Sequence, residues 1–329
     1  MEKRSNNLFW FSAAKLSTIA DIIVQVFVLI NLEVFYQTEV VIIWLRSVMI
    51  QIIADTTCGI PVEKLKAQGI YVLPQIIIFG ETTYHDDYEL DTQTFMEKLL
   101  ASKELPKTAA PPPTLYAPIY ESILSAGDIA LVIAPSQKLS GTFRSASVAA
   151  EEFHSEDIHI IDTKSIAGGL GSMVLQAKQW ADEGMDIHSL LQNLESMMAR
   201  ERVYFMVDTL DYLYKGGRIG GASRLIGSML QIKPILTFVD GQIEPFDKVR
   251  TAHQALANIV EMVIEICKGN PDAHLTISHG GAEPQAKLLA AELQDKLDLP
   301  DIPIYTCPPA IVVHAGPGVI STSCFVTPN

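Results

Sequence analysis

Four short polar groups sit where loops are expected and carry side chains able to do chemistry. They are Asp55-Thr56-Thr57, Thr108, Ser140-Gly141-Thr142 and His314. Hydroxyls and an imidazole can donate hydrogen bonds to an anion, and a serine or cysteine beside a histidine can act as a nucleophile. Plainer readings stand beside these. Thr108 precedes three prolines and fits a turn, Ser140-Gly141-Thr142 fits a helix N-cap, and Asp55 fits an Asx-turn. A single histidine is often structural. His279, beside Gly280-Gly281, is a rival to His314, and Cys58 reads as an inert small residue because no base is paired with it.

The least ordinary stretch runs from Leu210 to Thr251, LDYLYKGGRIGGASRLIGSMLQIKPILTFVDGQIEPFDKVRT. Gly216-Gly217 marks a turn and Arg218 follows it. Ile219, Leu225, Ile226, Met229, Leu230 and Ile232 recur at helix-like spacing until Pro234. The segment 235–239 reads as a strand, Asp240-Gly241 as a hairpin turn, and Gln242 opens the return strand, which ends at Arg250. Arg218 and Arg250 thus stand at the two mouths of an apolar helix-strand-hairpin unit. That arrangement suits a molecule with a long apolar body and an anionic head. A pair of structural salt bridges is the plainer alternative.

Elsewhere the pattern alternates strands and helices. Short apolar runs at 50–54, 72–79, 129–134, 158–162, 274–278 and 302–306 predict strands, and helical spacing covers 62–68, 90–102, 143–153 and 283–296. Two further helices span 173–199 with a break near Gly184, and the prolines at 111–113 oppose a helix over 107–113. The expected fold is α/β: a mainly parallel sheet covered by helices, plus a second α/β domain with a hairpin. The expected division is an N-terminal extension at 1–48, an N-terminal α/β domain at 49–200, and a C-terminal domain at 201–329. The candidate loops follow strand ends, where ligands bind on such sheets.

Bulk properties narrow the classes. At 329 residues with 48% hydrophobic and 19% charged residues, the chain is long and apolar enough for a large core. The net charge of -14 argues against a nucleic-acid partner. Four scattered cysteines form no CxxC pair and no zinc spacing, so neither a metal nor a disulfide framework is expected, and a reducing cytoplasm fits. Thr163 to Gly171 is glycine-rich without the GxGxxG order, and no Walker-type phosphate loop occurs, so no nucleotide or other cofactor is expected. Residues 1–48 hold an apolar run from Ile19 to Leu32 that is shorter than a membrane span and contains Asp21 and Gln25. They read as an over-called translation start upstream of Met49 or as a membrane-associated extension, so membrane contact is left open.

The string GGRIGGASRLIGSMLQIKPIL, with DGQIEPFDKVR after it, resembles the DegV family, which includes the fatty-acid-binding subunits of bacterial fatty acid kinase. The resemblance covers nearly everything from Met49 onward. It implies that Thr108, in a Lys-Thr-Ser-Gln-Pro-like motif, Ser140, in Leu-Ser-Gly-Thr, and His314, in His-x-Gly-Pro-Gly, hold a lipid carboxylate. Ala109 and Ala110 stand where the family often has polar residues. The resemblance also places Arg218 and Arg250 near the head group, facing a partner kinase or the transferred phosphate. It implies a long-chain fatty acid as ligand and an ATP-dependent kinase subunit as partner. The competing classes are a stand-alone hydrolase of acyl substrates using Ser140 or Cys58 with His314, and a membrane-tethered carrier using residues 1–48.

Overall fold

The computed structural model describes residues 48–86, 89–228 and 232–328. Contacts divide the chain into residues 1–48 and 49–329, and the fold below is that of the second unit. The expected extension at 1–48 lies, apart from Val48, outside the described residues.

The first sheet has the order β2-β1-β6-β7 and is parallel throughout, formed by β1 (Ile50–Asp55), β2 (Tyr71–Leu73), β6 (Ile129–Ala134) and β7 (Ile158–Asp162). Its apolar runs follow from burial on both faces. Ile50, Ile52, Leu131 and Ile133 point into a core with α5 (Gly168–Asp182) and α6 (Ile187–Arg200). The alternate residues Ile53, Ala130 and Val132 point into a separate core with α3 (Pro113–Ser125) and α4 (Thr142–Glu151). The period-two side-chain alternation of a strand thus feeds two helical layers.

The second sheet has six strands in the order β10-β9-β8-β13-β11-β12. These are β8 (Glu201–Met206), β9 (Lys233–Val239), β10 (Gln242–Val249), β11 (Thr276–Gly280), β12 (Ile304–Thr306) and β13 (Val319–Phe325). Only the β11-β12 pairing is parallel. One face is covered by α8 (Ala252–Cys267) and α9 (Glu283–Leu297). The other meets α10 (Pro309–Ala315), α7 (Asp211–Lys215) and a small antiparallel sheet, β4-β3-β5, from earlier in the chain. That sheet comprises β3 (Ile76–Phe79), β4 (Thr82–His85) and β5 (Lys107–Ala109) and is backed by α2 (Thr92–Ala101). Ile77, Phe95 and Leu99 therefore share a core with Phe205 and Leu236. One short helix, α1 (Val62–Ala67), follows β1.

The α/β expectation holds, with several local corrections. The single strand expected at 72–79 is two strands in different sheets. Pro74, which has no N–H to offer a ladder, and Gln75, whose side chain turns into a buried polar cluster, separate them. The proline run does extend the chain through β5, but Pro113 then occupies the first turn of α3, where its missing N–H costs nothing. That helix, α8 and β13 have no counterpart among the expected elements. The helix-like run from Ile219 is a 3₁₀ segment, Gly220–Ser228, and Met229 and Leu230 lie outside the described residues. The Asp240-Gly241 turn is as expected, with both residues at positive φ (50° and 75°). Sheet strands on either side of Arg200 belong to different sheets, but contacts hold 49–329 as one unit, and the 200/201 boundary stands as a proposal.

The glycines in the first turn of α5 serve packing. A Cβ on Gly171 would come within 2.7 Å of the Cys58 carbonyl oxygen and 3.0 Å of the Ile60 side chain. Alanine gains about 1 kcal/mol of helix propensity over glycine, but overpacking here costs about 1–3 kcal/mol. Gly171→Ala is expected to lower stability by up to about 2 kcal/mol in urea unfolding; a variant more stable than wild type would show that α5 can shift off the turn after β1 without cost.

Candidate functional site

The site is assembled from loops that strand ends deliver. At the end of β1, Asp55 is fully buried and caps the following 3₁₀ turn by accepting from the Thr57 amide at 2.9 Å. The hydroxyls of Thr57 and Thr142 also donate to its carboxylate, and Gln75 Nε2 donates to Oδ2 at 2.6 Å. Thus β1, the β2-β3 junction and the start of α4 converge on one carboxylate. Burial raises the Asp55 pKa, and the hydrogen bonds from Thr142, Thr57 and Gln75 oppose that rise. Ser140 stands at the edge of the cluster, with Thr142 Oγ1 at 3.0 Å and Gln75 Nε2 at 3.4 Å. Because Thr142 gives its single hydroxyl proton to Asp55, Ser140 is the donor across the 3.0 Å contact. Its proton can be redirected to a ligand.

Beside this cluster, β5 presents Thr108 and α10 presents His314. Thr108 Oγ1 and His314 Nε2 lie 2.8 Å apart. Among the described residues His314 Nδ1, which is buried, has no hydrogen-bond partner. Burial, helped by the Arg218 guanidinium, pushes the imidazole pKa down to about 4, so this ring is neutral at pH 7. Arg218 is half-buried. Its Nε donates to Leu139 O at 3.0 Å and its Nη1 to Gly216 O at 2.7 Å, so backbone carbonyls hold the guanidinium, and among the described residues no carboxylate pairs with it. Burial lowers its pKa from an ordinary value so high that it stays a cation.

Thr108, Ser140, His314 and Arg218 all line one chamber, together with Thr57 and Gln75. The void, counted to its mouth, spans about 870 Å³. Its remaining wall is mostly apolar and includes Ile166, Val203, Phe205, Phe238, Ile243 and Ile311. Phe205 and Phe238 stack within that wall at a centroid distance of 5.4 Å. The chamber is polar at one end and greasy over the rest, the mixture expected of a small-molecule site.

Other expected residues fall elsewhere. Arg250 is exposed just past β10 and outside the chamber lining, whereas Arg218 is part of it. His279 is buried in β11, with its pKa lowered by burial, and does not reach the chamber. Cys58 is fully buried and also outside it. The hydrolase alternative finds no dyad: His314 Nε2 engages Thr108, whereas Ser140 engages Gln75 and Thr142. The thiol in the wall, Cys307, is pushed up to about 12 by burial and is a poor nucleophile. Gln75 was absent from the expected site because it lay inside an apolar strand pattern; the only local sign of its role is Pro74 before it. Among the described residues no group of acidic, histidine or cysteine side chains could hold a metal, and no helix is long and apolar enough to cross a membrane.

Fold and site together define an α/β protein of two principal sheets, with a mostly apolar chamber whose lining also carries hydroxyl, imidazole and guanidinium groups. The profile described as "Uncharacterised protein, DegV family" matches residues 49–327, and the chain belongs to the DegV family. It is 32% identical over 280 residues to Protein DegV of Bacillus subtilis, covering 84% of this chain and 99% of that one. It is 33% identical over 275 residues to a DegV domain-containing protein of Deinococcus radiodurans, covering 83% and 97%. Among solved structures, a DegV family protein from Thermus thermophilus described by its fatty acid binding superposes with a TM-score of 0.79 at 29% identity, covering 84% of this chain and 99% of that one. DegV of Bacillus subtilis, described as a fatty acid binding protein, superposes with a TM-score of 0.76 at 32% identity, covering 85% and 100%.

The His314 environment has a measurable consequence. An imidazole held near pKa 4 when folded and 6.5 when unfolded leaves the unfolded chain binding the extra proton between those values. Its contribution to stability is complete above pH 6.5 and is lost as pH falls toward 4, on the order of 3 kcal/mol in all. Denaturation midpoints followed from pH 7 to 4 are expected to fall more steeply for wild type than for His314→Asn. Parallel curves would mean that the ring titrates normally.

Proposed function

We propose that this protein binds a long-chain fatty acid, with the acyl chain in the apolar part of the chamber and the carboxylate against Thr108, Ser140 and His314. The observation that carries the reading is the chamber itself: donors at one end, hydrocarbon and aromatic rings over the rest. Arg218 supplies the counter-charge, and neutral His314 and the two hydroxyls supply hydrogen bonds, which are stronger to a charged acceptor. Burial of the chain contributes about 0.8 kcal/mol per CH₂, offset in part by the ordering of a flexible ligand. The fatty acid binding described for the Thermus thermophilus and Bacillus subtilis relatives supports the same assignment.

In this reading the carboxylate is then presented to a separate ATP-dependent kinase subunit, which converts it to an acyl phosphate. The protein is itself non-catalytic and acts in the cytoplasm, in phospholipid metabolism. The family resemblance supports this part. Arg250, exposed and outside the chamber, suits contact with the partner or with the transferred phosphate.

Mass spectrometry of the purified protein is expected to find a free fatty acid; an acyl adduct on Ser140 or Cys58 would argue for catalysis instead. Ser140→Ala and His314→Ala are each expected to weaken binding about 10-fold or more, since a hydrogen bond to a charged group is worth about 1.5–3 kcal/mol. Unchanged affinity in both would remove those residues from the head-group site. Arg250→Ala is expected to bind normally and to be phosphorylated slowly in the presence of the kinase. Lost lipid with normal turnover would contradict its assignment.

A further inference from the structure

The imidazole of His314 has one hydrogen-bonded nitrogen and one buried nitrogen with no partner, so something other than hydrogen bonding fixes the far side of the ring. That side lies against Gly216, the residue that ends α7. The backbone of Gly216 is ordinary for a helix end, φ -77° and ψ -8°, a conformation that alanine adopts freely. Conformational freedom therefore does not account for a glycine here. Space does. A Cβ at position 216 would overlap His314 Nδ1, stand 3.2 Å from Cε1, and approach Tyr212 O to 2.9 Å.

The contact is reciprocated. A Cβ on Gly316, just past α10, would meet the ring of Tyr212 on α7 at 2.5 Å. Each helix thus offers a glycine to an aromatic ring of the other. Gly216 also accepts, through its carbonyl oxygen, the Arg218 Nη1 hydrogen bond at 2.7 Å, and donates its amide to Tyr212 O at 2.8 Å.

We infer that Gly216 is a positioning residue that seats the His314 imidazole against Thr108 through the absence of its side chain, and anchors Arg218 through its carbonyl. One residue, touching no ligand, then sets two donors of the chamber's polar end. The inference rests on the fatty-acid reading for its consequence in binding, but the seating of the ring is measurable without any lipid.

The test uses the full chain and oleate as the probe. Gly216→Ala is expected to weaken oleate binding about as much as His314→Ala. The double variant Gly216→Ala/His314→Ala is expected to bind no more weakly than His314→Ala alone, because the added methyl then meets no ring. The His314 ring ¹⁵N signals are expected to move in Gly216→Ala, as the Thr108 hydrogen bond breaks. Multiplying effects in the double variant, or unmoved ring signals, would overturn the inference. If Gly216→Ala fails to fold, recovery of folding in the double variant supports a clash with the ring, and failure of both variants overturns it. Should wild type itself not bind oleate, the lipid reading falls while the ring signals still decide the role of Gly216.

Discussion

The polar end of the chamber depends on a single buried carboxylate. Asp55 has no exposure to solvent, and its charge is tolerable only because Thr57, Thr142 and Gln75 aim donors at it. Those donors come from three separate segments of chain. Satisfying one acid therefore fixes the distance between the end of β1, the gap between β2 and β3, and the first turn of α4. Ser140, one residue before the Gly141 cap of α4, is held in place as a consequence.

The greasy part of the chamber has a different origin. The second sheet buries one face under α8 and α9, but its other face is covered by shorter pieces: α7, α10 and the small β4-β3-β5 sheet. These close over the strands without filling the space above Phe205 and Phe238. A long helix laid across those strands would have packed them shut. The small sheet also delivers Thr108 to the rim through β5, so the elements that leave the void are the ones that line its polar end.

Charge at that end is arranged by burial rather than by ion pairs. His314 is kept neutral by its surroundings and by Arg218, while Arg218 itself is held by carbonyl oxygens. Among the described residues no acid pairs with this guanidinium, so its charge remains for whatever anion enters. The Asp55 carboxylate sits behind Ser140 with its lone pairs already occupied, which limits its repulsion of an incoming anion.

Much of this was legible from residue order. The two-face apolar runs of β1 and β6, the Asp240-Gly241 turn and the helix pair broken at Gly184 follow from local patterning, because side-chain period and positive-φ turns are set by neighbours in sequence. Motif resemblance singled out Thr108, Ser140 and His314, and all three line the chamber. What residue order left hidden were effects between distant segments. Gln75 reads as one more strand residue, Leu139 as part of a loop, and Gly216 as an ordinary turn glycine. The surroundings of Gln75, Arg218 and Gly216 depend on what approaches from 20 to 98 positions away: Asp55 for Gln75, Leu139 for Arg218, and His314 for Gly216. Local propensity carries no trace of such approaches. Hydrogen bonding to a buried acid and the overlap of a ring with an added methyl exist only once the chain has closed on itself.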